Sequence, residues 1–215
     1  RGTPCDNNTM RRFFDFLFPP RVDEALLRDV PTDTFLALVA PRLISDTHPE
    51  TIGLLPFSTP SVRAAIHEAK YHGSAHAFTL LAHALAEYLR DADDVSNTRW
   101  NLVLLTPIPL GKERREGRGF NQVEEIVKRA VKELDITVDT TLLLRTRETV
   151  SQVSLPRRER VENMRGAFGA AHHADPTRTY IVIDDVITTG ATLQAAIDAL
   201  TSAGAEHIIP LALAH

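Results

Sequence analysis

Blocks of apolar periodicity divide the chain into helices and strands. Val62, Ala65, Ile66 and Ala69 recur at helical spacing. Ser61 reads as their N-cap and Gly73 as their stop. Phe78, Leu81, Ala82, Leu85 and Leu89 share one face of a second helix, and residues 91–98 read as a polar turn. Leu102 to Leu105 is a continuous apolar run, the mark of a strand buried on both faces, and Pro107-Ile108-Pro109 ends it. Residues 111–121 read as a charged, glycine-containing loop. Val123, Ile126, Val127, Ala130, Val131 and Leu134 mark a further helix. Thr141 to Leu144 reads as a short strand, and Pro156 to Met164 has a helical look. The last 36 residues read strand–helix–strand: Tyr180 to Ile183, residues 192–203 with Gly204 behind them, and Ile208 to Leu213. Such alternation predicts an α/β fold with an open, mainly parallel sheet flanked by helices. Residues 13–55 are proline-rich and weakly patterned, and read as short helices and loops.

Composition narrows the class. Of 215 residues, 43% are hydrophobic and 24% charged, which suits a folded domain rather than a disordered chain. A single cysteine, Cys5, excludes an internal disulfide framework and a cysteine-rich zinc site. It points to the cytoplasm as the expected location. No apolar run reaches the 18 or so residues of a membrane span. Phe13 to Phe18 behind Arg11-Arg12 is too short for a signal peptide and contains Asp15. Residues 1–9 read as a pattern-free tail, because Met10-Arg11-Arg12 resembles a natural start. The net charge is −4, yet residues 111–166 hold 13 Lys/Arg against 10 Asp/Glu, so an anionic ligand would prefer that region.

The chemistry concentrates at Ile181-Val182-Ile183-Asp184-Asp185-Val186-Ile187-Thr188-Thr189-Gly190-Ala191-Thr192. In a parallel sheet, ligands sit outside the carboxyl ends of the strands, where Asp184 and Asp185 fall. The Thr188–Thr192 turn opens a helix, whose first amides attract anions. Gly190 permits a close backbone approach. Vicinal hydroxyls on the acids and a phosphate on the turn would fit one ligand. The competing reading is a helix cap or a solvated acidic turn.

This stretch resembles the phosphoribosyl-pyrophosphate (PRPP) motif of type I phosphoribosyltransferases. The resemblance implies that Asp184 and Asp185 hold the ribose hydroxyls and form the catalytic pair. Thr188, Thr189, Gly190, Ala191 and Thr192 would then hold the 5-phosphate. A second set of blocks is similar to the ComF family of competence-associated proteins: Phe16 to Pro20, Lys70-Tyr71-His72-Gly73, Thr106 to Leu110, Arg114, Arg115, Arg118 to Gln122, Arg145-Thr146, Gln152, Arg157 to Arg160, Asn163 and Arg165 to Phe168. Val22 stands where that family's first zinc-binding cysteine is expected, so the zinc segment looks lost or shortened.

The family likeness implies further roles. Leu110, Gly111 and Lys112 would bind pyrophosphate through backbone amides, with Arg118 assisting; alternatively Pro107 and Pro109 merely end a strand. Residues 145–166 resemble a mobile loop that closes over PRPP, with Gln152, Arg157 and Arg158 as contacts, unless these face solvent. Mg²⁺ would arrive bound to PRPP. Residues 10–60 would form a hood and 61–215 the phosphoribosyltransferase core. The implied activity is transfer of a phosphoribosyl group to an unknown nitrogen acceptor. The alternative is a non-catalytic PRPP or nucleotide binder acting in DNA uptake. Nucleic acid competes for the basic stretches, but no aromatic residues interleave them to stack on bases. No protein-held metal is expected: His67, His72 and His76 lie near one helix end, with no cysteine or acid recognised to complete a tetrahedral set.

Overall fold

The structure, a computed structural model, describes residues 21–96, 102–134, 136–149 and 156–215. Two short helices, α1 (Val22–Leu27) and α2 (Thr32–Leu36), precede a hairpin of β1 (Arg42–Ile44) and β2 (Thr51–Leu55). Then come α3 (Pro60–His67), a π-helical turn (Glu68–His72), α4 (Ala75–Ser96), β3 (Val103–Pro107), α5 (Lys112–Arg118), α6 (Gln122–Ala130) and β4 (Thr137–Val138). The chain continues through β5 (Leu143–Arg145), α7 (Arg157–Met164), β6 (Phe168–Ala170), β7 (Thr179–Val186), α8 (Ala191–Ser202) and β8 (His207–Ala214).

Among the described residues the central sheet runs β1-β2-β8-β7-β3-β4, in which only the β1–β2 pair is antiparallel, and β5 and β6 form a separate antiparallel pair. The strands β3, β7 and β8 are apolar almost throughout because helices cover both faces. Alternation along each strand sorts their side chains into two layers. Val103, Leu105, Ile181, Ile183, Leu211 and Leu213 pack with α3, α4 and α6. Leu104, Tyr180, Val182 and Ala212 pack with α8 and the small β5–β6 sheet. The α/β architecture expected from the alternation is therefore present, with a mostly parallel central sheet.

Several local expectations are corrected. The helix-and-loop reading of residues 13–55 fails at β1 and β2, because β2 pairs with β8 inside the central sheet. Gly53 and nearby prolines hid the strand. Gly53 is needed there, since a Cβ would lie 2.8 Å from His215 and Ile44 side chains. Residues 112–118 are a helix, closed by Gly119 at φ 81 rather than left as a loop. The expected turn at 91–98 is helical as far as Ser96. The helix expected to be capped by Ser61 starts two residues earlier: Thr59 is the N-cap and Pro60 occupies the first turn, where its fixed φ costs nothing.

Candidate functional site

Topology puts a crevice between β3 and β7. The chain leaves β3 toward β4 on one side and leaves β7 toward β8 on the other. The loops behind these adjacent parallel strands therefore diverge, which is the switch-point condition for a ligand site. The strands stay paired to the rim, where Pro107 faces Ile183 and the Ile108 amide donates to the Ile183 carbonyl at 2.9 Å. Beyond the rim opens a cleft of about 510 Å³.

Strand alternation separates the two acids. Asp185 continues the odd-numbered face of β7, toward the helices of the first layer. There its Oδ2 accepts from Lys70 Nζ and from Gln122 Nε2, each at 2.8 Å. Gln122 Oε1 in turn accepts from Arg118. Asp184 continues the even-numbered face, toward the turn that opens α8. Its Oδ1 accepts from the Asp185 amide at 2.9 Å. Burial, and then repulsion from Asp185, pushes the Asp184 carboxyl up to about 7. Asp184 is thus poised to ionise when cations or hydroxyl donors arrive.

Lys70 comes from the π turn. Burial, the largest single influence, pulls its ammonium down, but attraction and hydrogen bonding to Asp185 outweigh it, so the net direction is up. Lys70 therefore stays charged at neutral pH. Arg118 is lowered by burial and stacks 5.6 Å from the Tyr71 ring centroid. Arg145 is lowered by burial and by the neighbouring charge of Arg114. Both of these arginines reach Thr149: Arg114 donates to its carbonyl at 3.2 Å and Arg145 to its hydroxyl. Two like charges at one desolvated point favour an incoming polyanion.

Asn121 fixes the helix behind this wall. Its Oδ1 caps α6 by accepting from the Val123 amide at 3.0 Å, and its Nδ2 donates to the Ile108 carbonyl at 2.9 Å. One side chain thereby starts α6 and anchors the loop after β3.

Most of the sequence candidates meet here. Asp184, Asp185, Thr188, Thr192, Leu110 and Arg118 all line the cleft. Thr189, Gly190 and Ala191 join Thr188 and Thr192 around a small niche beside it, also walled by Asp184. Gly111 and Lys112 stand at the edge: the Lys112 amide donates to the Glu148 carboxylate, which fills the space a Cβ on Gly111 would need. Gln152 and the side chains of Arg157 and Arg158 lie outside the described residues. Lys70, Tyr71, Arg114, Gln122, Arg145 and Arg160 also line the cleft; of these, the basic stretches offer Arg114 and Arg160 as candidate ligand contacts, whereas residue patterns alone give Lys70, Tyr71, Gln122 and Arg145 no place in it. The Lys70-Tyr71-His72-Gly73 block was the available signal for the first two.

No family model matches the chain. The chain is 32% identical to Competence protein F of Haemophilus influenzae over 130 residues, covering 60% of this chain and 56% of that protein. It is 33% identical to the DNA utilization protein YhgH of Escherichia coli over 89 residues, 41% of this chain and 39% of the relative. With YhgH of Salmonella typhi it shares 28% over 138 residues, 63% of this chain and 59% of the relative. The matched part thus spans a little over half of Competence protein F and less of E. coli YhgH. Among solved structures, a hypoxanthine phosphoribosyltransferase from Staphylococcus aureus aligns over 63% of this chain and 61% of its own, at 12% identity and a TM-score of 0.38. That likeness is too slight to decide anything by itself. By sequence, the chain is similar to competence and DNA-utilization proteins over 41 to 63% of its length.

Proposed function

We propose that the chain binds PRPP with Mg²⁺ and transfers the phosphoribosyl group to a nitrogen nucleophile, releasing pyrophosphate. One observation carries this reading. Two carboxylates at the carboxyl end of β7 adjoin the Thr188–Thr192 turn and face a cleft whose basic lining residues are Lys70, Arg114, Arg118, Arg145 and Arg160. A sugar hydroxyl pair, a terminal phosphate and a diphosphate on one ligand would satisfy all three parts.

The cleft suits the reaction by position and charge. The carboxylates would accept from the 2- and 3-hydroxyls and hold the ribose. The Thr188–Thr192 turn would hold the 5-phosphate by amides and hydroxyls. Arg114, Arg118 and Arg145 would stabilise charge as the C1–O bond breaks and its electron pair leaves with diphosphate. The acceptor nitrogen then bonds to C1 from the opposite face and gives up its proton to solvent or to the departing diphosphate. Such catalysis rests on positioning and electrostatics. The carboxylates of Asp184 and Asp185 are hard oxygen donors, so the cleft is chemically compatible with Mg²⁺ carried by the ligand. When bound, that ion would neutralise diphosphate charge.

A second reading is a PRPP- or nucleotide-binding accessory of DNA uptake, favoured by the names of Competence protein F and YhgH. Pyrophosphate release separates the two. With Mg-PRPP and a panel of nucleobases and amines, the transferase reading expects release that depends on one acceptor. PRPP binding with no release above the acceptor-free rate would leave only the accessory reading.

A further inference from the structure

A cluster outside the cleft brings together His67, Glu68 and His72, whose ligand atoms lie within 4.8 Å of one another. We propose that it is a site for a borderline divalent transition ion such as Zn²⁺, bracing the π turn that supports the cleft. Glu68 is the acid that spacing alone failed to recognise.

The π turn creates the cluster. In an α-helix, residues five apart point about 140° away from each other. A π turn closes at i→i+5 instead, so His67 and His72 return to one side. Their ring centroids are 5.8 Å apart. Glu68 lies beneath them, 1% exposed, with Oε1 4.0 Å from His72 Nε2. Ligand atoms on one tetrahedral ion stand about 3.3 Å apart, so the exposed imidazoles need only a small rotation. Asp23 Oδ2 lies 2.8 Å from His67 Nδ1. A carboxylate on one ring nitrogen, leaving Nε2 for the ion, is the usual outer support of a metal-binding histidine. Two imidazoles with one carboxylate favour Zn²⁺ or Co²⁺ over Mg²⁺ or Ca²⁺.

Arg21 is the competing charge. It donates to both Glu68 oxygens, at 2.9 and 2.8 Å, and also lies 3.2 Å from Glu24. Each carboxylate oxygen has a second lone pair, so Glu68 can accept from Arg21 and still face an ion. Half of the Arg21 side chain is exposed, which leaves it room to move toward Glu24. The consequence reaches the cleft, because the same turn carries Lys70 to Asp185 and Tyr71 to the wall. The site does not depend on what the cleft binds.

The test is titration of the chelator-treated full chain with Zn²⁺ by calorimetry, and with Co²⁺ by visible absorption. One ion per chain is expected, with a tetrahedral Co²⁺ spectrum. His67→Ala/His72→Ala should weaken binding at least about 100-fold and Asp23→Asn about tenfold. His207→Ala, an exposed histidine elsewhere, should leave it unchanged. No binding by the parent chain overturns the proposal, as does unchanged binding in the double variant. The replaced imidazoles are exposed enough that folding should persist, which circular dichroism of the metal-free variant verifies.

Discussion

Asp184→Asn is expected to make the free protein more stable at pH 8 while removing ligand binding. The Asp184 carboxyl is held at about 7, first by burial and then by Asp185. Between an unfolded value near 3.9 and that folded value, the folded chain binds more protons than the unfolded one. Stability of the parent therefore falls as pH rises from about 4 to 7. Asparagine does not titrate, and its Oδ1 can keep the hydrogen bond from the Asp185 amide. Asp184 is half-buried, and its coupling to Asp185 shares the cost, so a gain of about 2 kcal/mol at pH 8 is expected. The gain should shrink to nothing below about pH 4. Urea denaturation from pH 4 to 8 measures it. A variant less stable than its parent at pH 8 would contradict the assignment of Asp184 as a strained acid. A binding carboxylate kept at a cost to stability is what a functional cleft leads one to expect.

Gly190→Ala is expected to destabilise the fold instead, for a different reason. Gly190 has φ 70, in the left-handed region. Alanine there costs about 1–2 kcal/mol before any contact is considered. Its Cβ would also stand 2.6 Å from the Asp46 carbonyl oxygen and 2.8 Å from Thr47 Cγ2. Thr47 is buried, its hydroxyl pairs with Thr51 at 2.6 Å, and the His48 amide donates to Gln194 at 2.7 Å, so this loop cannot easily retreat. A total loss of about 3–4 kcal/mol follows, and under the proposed function phosphate binding at the turn would be lost as well. A loss under about 1 kcal/mol would show that the loop and the turn are not held together.

Gly190 also shows where residue patterns stop being enough. Its place in a tight turn was readable from Thr-Thr-Gly behind an apolar strand. The sequence reading reserved its open side for a ligand, whereas the structure also uses it for the β1–β2 loop. No local pattern announces a loop 140 residues upstream. The same limit hid β2, which looks weak alone and becomes a strand only against β8. By contrast β3, β7, α8 and β8 were legible, because strands buried on both faces write their apolar runs directly into the chain. Asp184 and Asp185 were legible as a pair, but not their division of labour. That division needs the parity of β7 and the arrival of Lys70 and Gln122 from other elements. The helix at 112–118 was hidden by its own composition, since among its seven residues none is buried.

The central claim is that the acids of β7 and the turn beside them hold Mg-PRPP. Calorimetry of PRPP binding, with and without Mg²⁺, on the parent and on Asp184→Asn/Asp185→Asn tests it most directly. The cleft predicts one Mg²⁺-dependent site in the parent and at least about 100-fold weaker binding in the variant, the loss of two charged hydrogen-bond acceptors. No binding by the parent, or equal binding by the variant, would contradict it.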